Sequence, residues 1–211
     1  MARLVWGTLS ERFYEAGIDR GVLYLSGQPG VSWQGLISVT ESPTGGEPRP
    51  LYIDGVKYLN LATSEEFEAT IKAFGSPAEF KACDGVVGIH LGLYATQQPR
   101  QSFGMAYRSL VGNAITGEDL GYKIHLVYNA LAAPSQRDNK TLGLTAETTS
   151  YSWHITTLPP SVTGYKRTAH YVVDSRYADP SALADLEDLL YGTVSTDAEL
   201  PTPDELIAIF A

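Results

Sequence analysis

The chain has 211 residues, 44% hydrophobic and 18% charged, enough for one generous domain with appendages and too apolar for global disorder. Its 20 Gly, 12 Pro and 13 Tyr favour short strands and many turns over a helical bundle. A single cysteine, Cys83, excludes an internal disulfide framework and a thiolate metal cluster within one chain. The net charge of -9 argues against a protein that grips nucleic acid, which needs clustered Lys and Arg.

The distribution of charge is uneven. From Asp174 to Ala211 there are nine acids against Arg176 alone, so this segment carries -8 while the rest of the chain is nearly neutral. Its simplest reading is a solvated polar face. A weaker imbalance of -4 lies between Glu41 and Glu68, where six acids face Arg49 and Lys57. At the N-terminus, Arg3 precedes Leu4, Val5 and Trp6, but Gly7 and Thr8 interrupt before a secretory apolar region can form. The most apolar stretch, Val86 to Ala95, is broken by Gly88, His90 and Gly92 and is too short to span a bilayer. The expectation is a soluble protein folded inside a cell.

Residues 1 to 20 mix polar and aromatic side chains without a clean period and read as an arm that becomes ordered on a partner surface. From Val22 short alternating runs begin, bounded by Gly, Pro and Asp: Val22 to Leu25, Val31 to Thr40, Leu51 to Ile53 and Val56 to Leu61. Asp54-Gly55 joins the last two as a hairpin, because both central residues of a type I′ turn need positive φ. The proline-rich loop from Ser42 to Pro50 is expected not to pair regularly, since three prolines lack amide donors. Phe67, Ala69, Ile71 and Ala73 alternate with Glu68, Thr70 and Lys72, which reads as a half-buried strand, with a helix as the alternative.

Further strands are predicted at Val86 to Tyr94, Phe103 to Val111, Tyr122 to Ala130, Ser150 to Thr157 and Arg167 to Val173. In the third, Tyr122, Ile124, Leu126 and Tyr128 oppose Lys123, His125, Val127 and Asn129, a pattern for one core face and one face toward solvent or a neighbour. A second long loop is expected at 133 to 148. The pattern then turns helical. Asp179 can cap, Pro180 suits the first position, Leu183, Leu186, Leu189 and Leu190 share a face, and Gly192 can end the turn. Thr202, Pro203 and Glu205 form a capping box before Leu206, Ile207, Ile209 and Phe210, in a helix too short to persist undocked.

These elements predict a mainly β chain, an antiparallel β-sandwich or split barrel with one or two short flanking helices. It divides into an arm (1–20), a β core (21–173) and an acidic, partly helical extension (174–211). Catalytic punctuation is missing. His90, His125, His154 and His170 are scattered without H-x-H or H-x-x-x-H spacing, so each reads as a structural or surface histidine rather than a metal ligand. No nucleophile elbow and no phosphate-cradling loop is present. Cys83 reads as a small buried or turn residue. Neither catalytic residues, nor a cofactor, nor a metal site is expected. What remains is the question of sheet edges, which a protein must block or use for association.

Several segments carry a resemblance. Gly17 to Tyr24 (GIDRGVLY), Gly30 to Leu36 (GVSWQGL), Val39 to Ser42 (VTES), Tyr52 to Gly55 (YIDG), Phe67 to Ile71 (FEATI), Pro77 to Phe80 (PAEF) and Cys83 to Gly85 (CDG) are among them. Phe103 through Arg108, Gly112-Asn113, Gly121 to Tyr128 (GYKIHLVY), Tyr151 to Trp153 (YSW), Leu190 to Gly192 (LYG) and Leu200-Pro201 continue the series. In this order they resemble the major tail protein of long-tailed actinobacterial phages, over nearly the whole chain.

The resemblance implies a tail tube subunit without enzymatic activity or cofactor, located in the virion tail. It implies self-association into hexameric rings stacked around a DNA passage, no specific DNA binding and no membrane, with a tape measure protein and a tail terminator as partners. Glu66 and Glu68 are then candidate lumen-facing acids. Pro43, Thr44, Gly45, Gly46, Glu47, Pro48 and Arg49 form a candidate ring-stacking loop, and the arm 1–20 and segment 193–211 are further candidate contacts. Alternatives are a tail terminator or head–tail connector ring, and a carbohydrate-binding β-sandwich suggested by Trp6, Trp33, Trp153 and the tyrosines. A cupin-like enzyme would need a histidine and carboxylate cluster that no sequence spacing indicates.

Overall fold

In the computed structural model, which describes residues 4, 6–137, 139, 141 and 149–211, apolar alternation becomes fourteen strands followed by two helices. The strands are β1 (Phe13–Tyr24), β2 (Val31–Ser32), β3 (Leu36–Glu41), β4 (Thr44–Gly45), β5 (Pro48–Ile53), β6 (Val56–Ala62) and β7 (Glu65–Glu66). They continue as β8 (Glu68–Ala73), β9 (Val87–His90), β10 (Leu93–Ala95), β11 (Phe103–Asn113), β12 (Gly117–Ala132), β13 (Tyr151–Thr157) and β14 (His170–Asp174). Helices α1 (Pro180–Tyr191) and α2 (Pro203–Ile209) close the chain. The expected loop at 133–148 lies partly outside the described residues, as do Arg3 and Val5 of the expected arm.

The main sheet is antiparallel and runs β2-β1-β11-β12-β13-β8-β3, with β14 also paired to β12. β12 is the fork. Lys123 to Val127 pair with β14, whereas Ala130 to Ala132 pair with β13. Between them Asn129 adopts φ +48° and donates from Nδ2 to the Leu158 carbonyl (3.0 Å), so a local left-handed residue lets one strand edge serve two partners. At the other end the sheet rolls until β3 lies against β1. The Trp33 amide donates to Gly21 O at 2.7 Å, and a Cβ on Gly21 would stand 2.2 Å from Leu36 Cδ1, so glycine is what permits the closure. The result is the split barrel with flanking helices that the sequence predicts.

Two cores sit on opposite faces of this sheet. Inside the barrel, Leu23, Trp33, Ile71, Phe80, Phe103, Met105, Trp153 and Ile155 pack together. Phe80 arrives from a single 3₁₀ turn (Ala78–Lys81) that plugs the barrel, and its ring centroid lies 4.6 Å from Trp33, 5.1 Å from Trp153 and 5.3 Å from Phe103. Outside, Val22, Tyr24, Ala106, Ile124, Leu126 and Tyr128 receive Leu186 and Leu190 of α1 and Leu206 of α2. Tyr24 ties the layers, donating to the Leu190 carbonyl at 2.7 Å.

The helices form where the sequence places their caps. Asp179 accepts from the amides of Ser181 (2.9 Å) and Ala182 (3.1 Å), and Gly192 ends α1 at φ +74°. Thr202 and Glu205 make the reciprocal capping box of α2. Asp179→Ala removes the acceptor of two orphan donors and is expected to cost about 1 kcal/mol, read as a lowered midpoint in urea denaturation with an unchanged slope. Several acids of the C-terminal segment are thus spent on caps and pairs, since Asp174 also holds Arg176 in a two-point ion pair (2.9 and 2.6 Å). That guanidinium keeps the Asp174 carboxyl below the usual carboxylate range.

Four expectations need correction. The arm assigned to 1–20 is ordered in the sheet from Phe13, where β1 begins; register shifts after Ala16 and Asp19, with Arg20 at φ +48°, break the period that would have revealed it. The segment 42–50 does pair. Thr44–Gly45 joins Glu65–Glu66, and Pro48 and Pro50 lie opposite Ala62 and Asn60, because in a two-stranded ribbon a proline's missing donor can face outward. The strand predicted at Val86 to Tyr94 is a hairpin, turned at Leu91-Gly92 with Gly92 at φ +80°. Finally, β12 buries both faces, with His125 and Val127 toward the barrel and Ile124 and Leu126 under the helices.

Candidate functional site: exposed hairpins and a histidine cluster

The Asp54-Gly55 turn (φ +51° and +76°) joins β5 and β6 as predicted, and the ribbon it makes is exposed at every residue from Pro48 to Ala62. It carries Leu51, Tyr52, Ile53, Val56, Tyr58, Leu59 and Leu61, with Tyr52 62% and Tyr58 69% exposed. Two strands alone are marginal in water, and a contiguous apolar ribbon marks a surface meant to be covered. The β9–β10 hairpin repeats the pattern with Val87, Ile89, Leu93 and Tyr94 around a fully exposed Leu91. Trp6 and Leu4 add exposed apolar surface before β1.

The candidate stacking residues Pro43 to Arg49 form the base of the long ribbon and are exposed except for the half-buried Gly46. At Gly45, φ is +78° and a Cβ would meet Ser64 O at 2.3 Å, while the Gly46 amide donates to Thr63 Oγ1 (3.1 Å). Glu66 is exposed opposite Thr44 in the β4–β7 pair. Glu68 is more engaged, because its carboxylate accepts from Thr44 Oγ1 (3.0 Å) and meets His154 Nε2 (3.1 Å). The two acids therefore share a segment but differ in freedom. Of the three tryptophans weighed for carbohydrate stacking, Trp33 and Trp153 are barrel core and only Trp6 is exposed.

A separate cluster forms where β3, β12 and β14 meet. His125 Nδ1 lies 3.2 Å from His170 Nε2 and 3.4 Å from Glu41 Oε1, and His170 Nε2 lies 3.8 Å from the same oxygen. Ser109 Oγ is 2.9 Å from His125 Nε2, and Tyr107 donates to Glu41 Oε1 at 3.0 Å. Tyr107 stacks flat on His125 (4.6 Å, 2°) and Phe67 on His170 (4.3 Å, 29°). Burial, reinforced by the neighbouring His170, depresses His125 to about 4, and burial lowers His170 as well, so both rings are neutral at physiological pH. Burial and then the Glu41 carboxylate raise the Tyr107 phenol, which keeps its proton to donate. These are the described residues with a donor set for a metal ion. Sequence spacing misses Glu41, His125 and His170 because they come from three separated strands. The faint signal is that odd-numbered residues of β12 share a face, which puts His125 with Val127 rather than with Leu126.

Cys83 is fully buried, as expected, and burial pushes its thiol up to about 12, which removes it as a nucleophile. Among the described residues no helix is long and apolar enough to cross a membrane.

No protein-family model matches the chain, and no curated protein matches it. Solved structures that match the chain include a chain of the cryo-EM structure of the anti-feeding prophage baseplate, at 10% identity and a TM-score of 0.40, covering 81% of this chain and 97% of that one. Another is in the cryo-EM structure of an extracellular contractile injection system, the PVC sheath–tube complex in its extended state, at 11% identity and a TM-score of 0.36, covering 74% and 88%. At these scores the likeness carries no functional argument.

Proposed function

We propose that this chain is a structural tail protein of a phage or phage-like particle, a tube subunit that joins copies of itself into hexameric rings stacked around a passage for DNA. The observation that carries the reading is the 48–62 ribbon, fully paired within itself, apolar on its surface and covered by nothing else in the described chain. A subunit that buries this ribbon against the next copy gains the third layer that an isolated hairpin lacks. The resemblance of the sequence to tail tube proteins supports the same assembly, and supplies ring order and partners, a tape measure protein and a tail terminator. The role is architectural and assigns the chain no catalytic chemistry. Glu66 and Glu68 are proposed to face the passage, where carboxylates keep DNA from adhering.

Imaging purified protein at rising concentration tests the reading. Long hollow tubes are expected, and a reconstruction of them places Glu66 on the inner or the outer wall directly. Discrete rings that never stack would instead indicate a terminator or connector, and a chain that stays monomeric at every concentration overturns self-assembly.

A further inference from the structure

We propose that Glu41, His125 and His170 form a binding site for one divalent transition-metal ion of the Zn2+ type, a structural clamp independent of the tail reading. The three facing atoms make a triangle of 3.2, 3.4 and 3.8 Å. Tetrahedral Zn2+ with bonds of about 2.0–2.2 Å to nitrogen and oxygen has ligand–ligand edges of about 3.3–3.6 Å, so the triangle fits one face of that tetrahedron. Two imidazoles and a carboxylate are a borderline donor set suited to zinc rather than to calcium or magnesium.

The surroundings orient each ligand. Ser109 Oγ lies 2.9 Å from His125 Nε2, so the Nε2–H tautomer, donating to Ser109, is the one that would turn the Nδ1 lone pair to the ion. Tyr107 holds the Glu41 carboxylate through Oε1, and the stacked rings of Tyr107 and Phe67 fix the two imidazole planes. The Glu41 side chain is 40% exposed while His125 is buried and His170 half-buried, so the site has a solvent side for entry and for a fourth ligand, water.

The position gives the ion a purpose. β3 pairs with β8, and β12 with β14, but no ladder joins β3 to β12 or β14. An ion held by all three strands cross-links the rolled sheet where backbone hydrogen bonds do not reach.

The test uses the full chain, stripped with chelator and dialysed against Zn2+, with metal per folded chain measured by mass spectrometry and Co2+ substituted as a spectroscopic probe of tetrahedral geometry. One ion per chain is expected, together with a zinc-dependent rise in the thermal midpoint. Glu41→Gln keeps size and surface exposure and should weaken affinity by about 100-fold or more, beyond the roughly 10–100-fold of an outer-shell change. His170→Asn should abolish binding, and His90→Ala, on the exposed β9–β10 hairpin, should leave it intact. No uptake by the folded wild-type chain, or undiminished uptake by Glu41→Gln, overturns the site in favour of a hydrogen-bonded cluster alone. Should His170→Asn lose its far-ultraviolet dichroism, Glu41→Gln decides.

Discussion

Replacing residues 49–61 with a short Gly-Ser turn should leave a folded chain that no longer polymerises. No residue of this ribbon belongs to either hydrophobic core, and every one is exposed, so its removal costs the isolated subunit little, within about 1 kcal/mol. For assembly the loss is large. Burying one large apolar side chain stabilises by about 1.5–3 kcal/mol, and the ribbon offers seven of them, Leu51, Tyr52, Ile53, Val56, Tyr58, Leu59 and Leu61. Even a few such anchors account for many orders of magnitude in association. The change is confined to 49–61 because Thr44 and Gly45 pair with Glu65 and Glu66 at the ribbon's base, and cutting 43–49 would open that ladder as well. Light scattering and electron microscopy should find only small species while thermal unfolding stays near wild type. Tubes of normal length and yield would show that the ribbon is not the contact.

Phe80→Ala should be the most damaging single change to the fold, at about 3–5 kcal/mol. Phe80 has no exposed surface and touches Trp33, Phe103 and Trp153, which come from three different places around the barrel. These neighbours cannot collapse into the gap. Trp33 is anchored by its Nε1–H to the Gly75 carbonyl (2.9 Å), and Phe103 and Trp153 are held by strand ladders. The cavity therefore persists, and a domain with a total stability of about 5–15 kcal/mol loses a large share of it. Phe80→Leu, which retains most of the volume, should cost less than half as much. Chemical denaturation of the two variants checks the order; near-equal losses would mean that the plug tolerates repacking.

Local rules made several elements legible. Asp54-Gly55 specified its hairpin because few dipeptides accept two positive φ values, and Thr202 with Glu205 specified the start of α2 because a capping box is a contact within four residues. The strand Glu68–Ala73 showed its buried face as Ala69, Ile71 and Ala73. The first half of β1 was hidden for an equally local reason, since two register shifts scramble the alternation that reveals a strand. Proline content misled at 48–50, where pairing on one side only leaves the missing donors without consequence.

What the sequence determined alone is therefore the type of most elements, and the ends of those closed by a cap or a tight turn, since hydrophobic period, turn φ and cap chemistry are properties of a few neighbouring residues. Only the tertiary structure decided that the sheet forks at Asn129, that both faces of β12 are covered, and that Glu41, His125 and His170 converge. Those facts depend on which strands lie beside one another once the sheet has rolled. That choice is made by packing Phe80 inside and two helices outside, between residues too far apart along the chain for any spacing to record it.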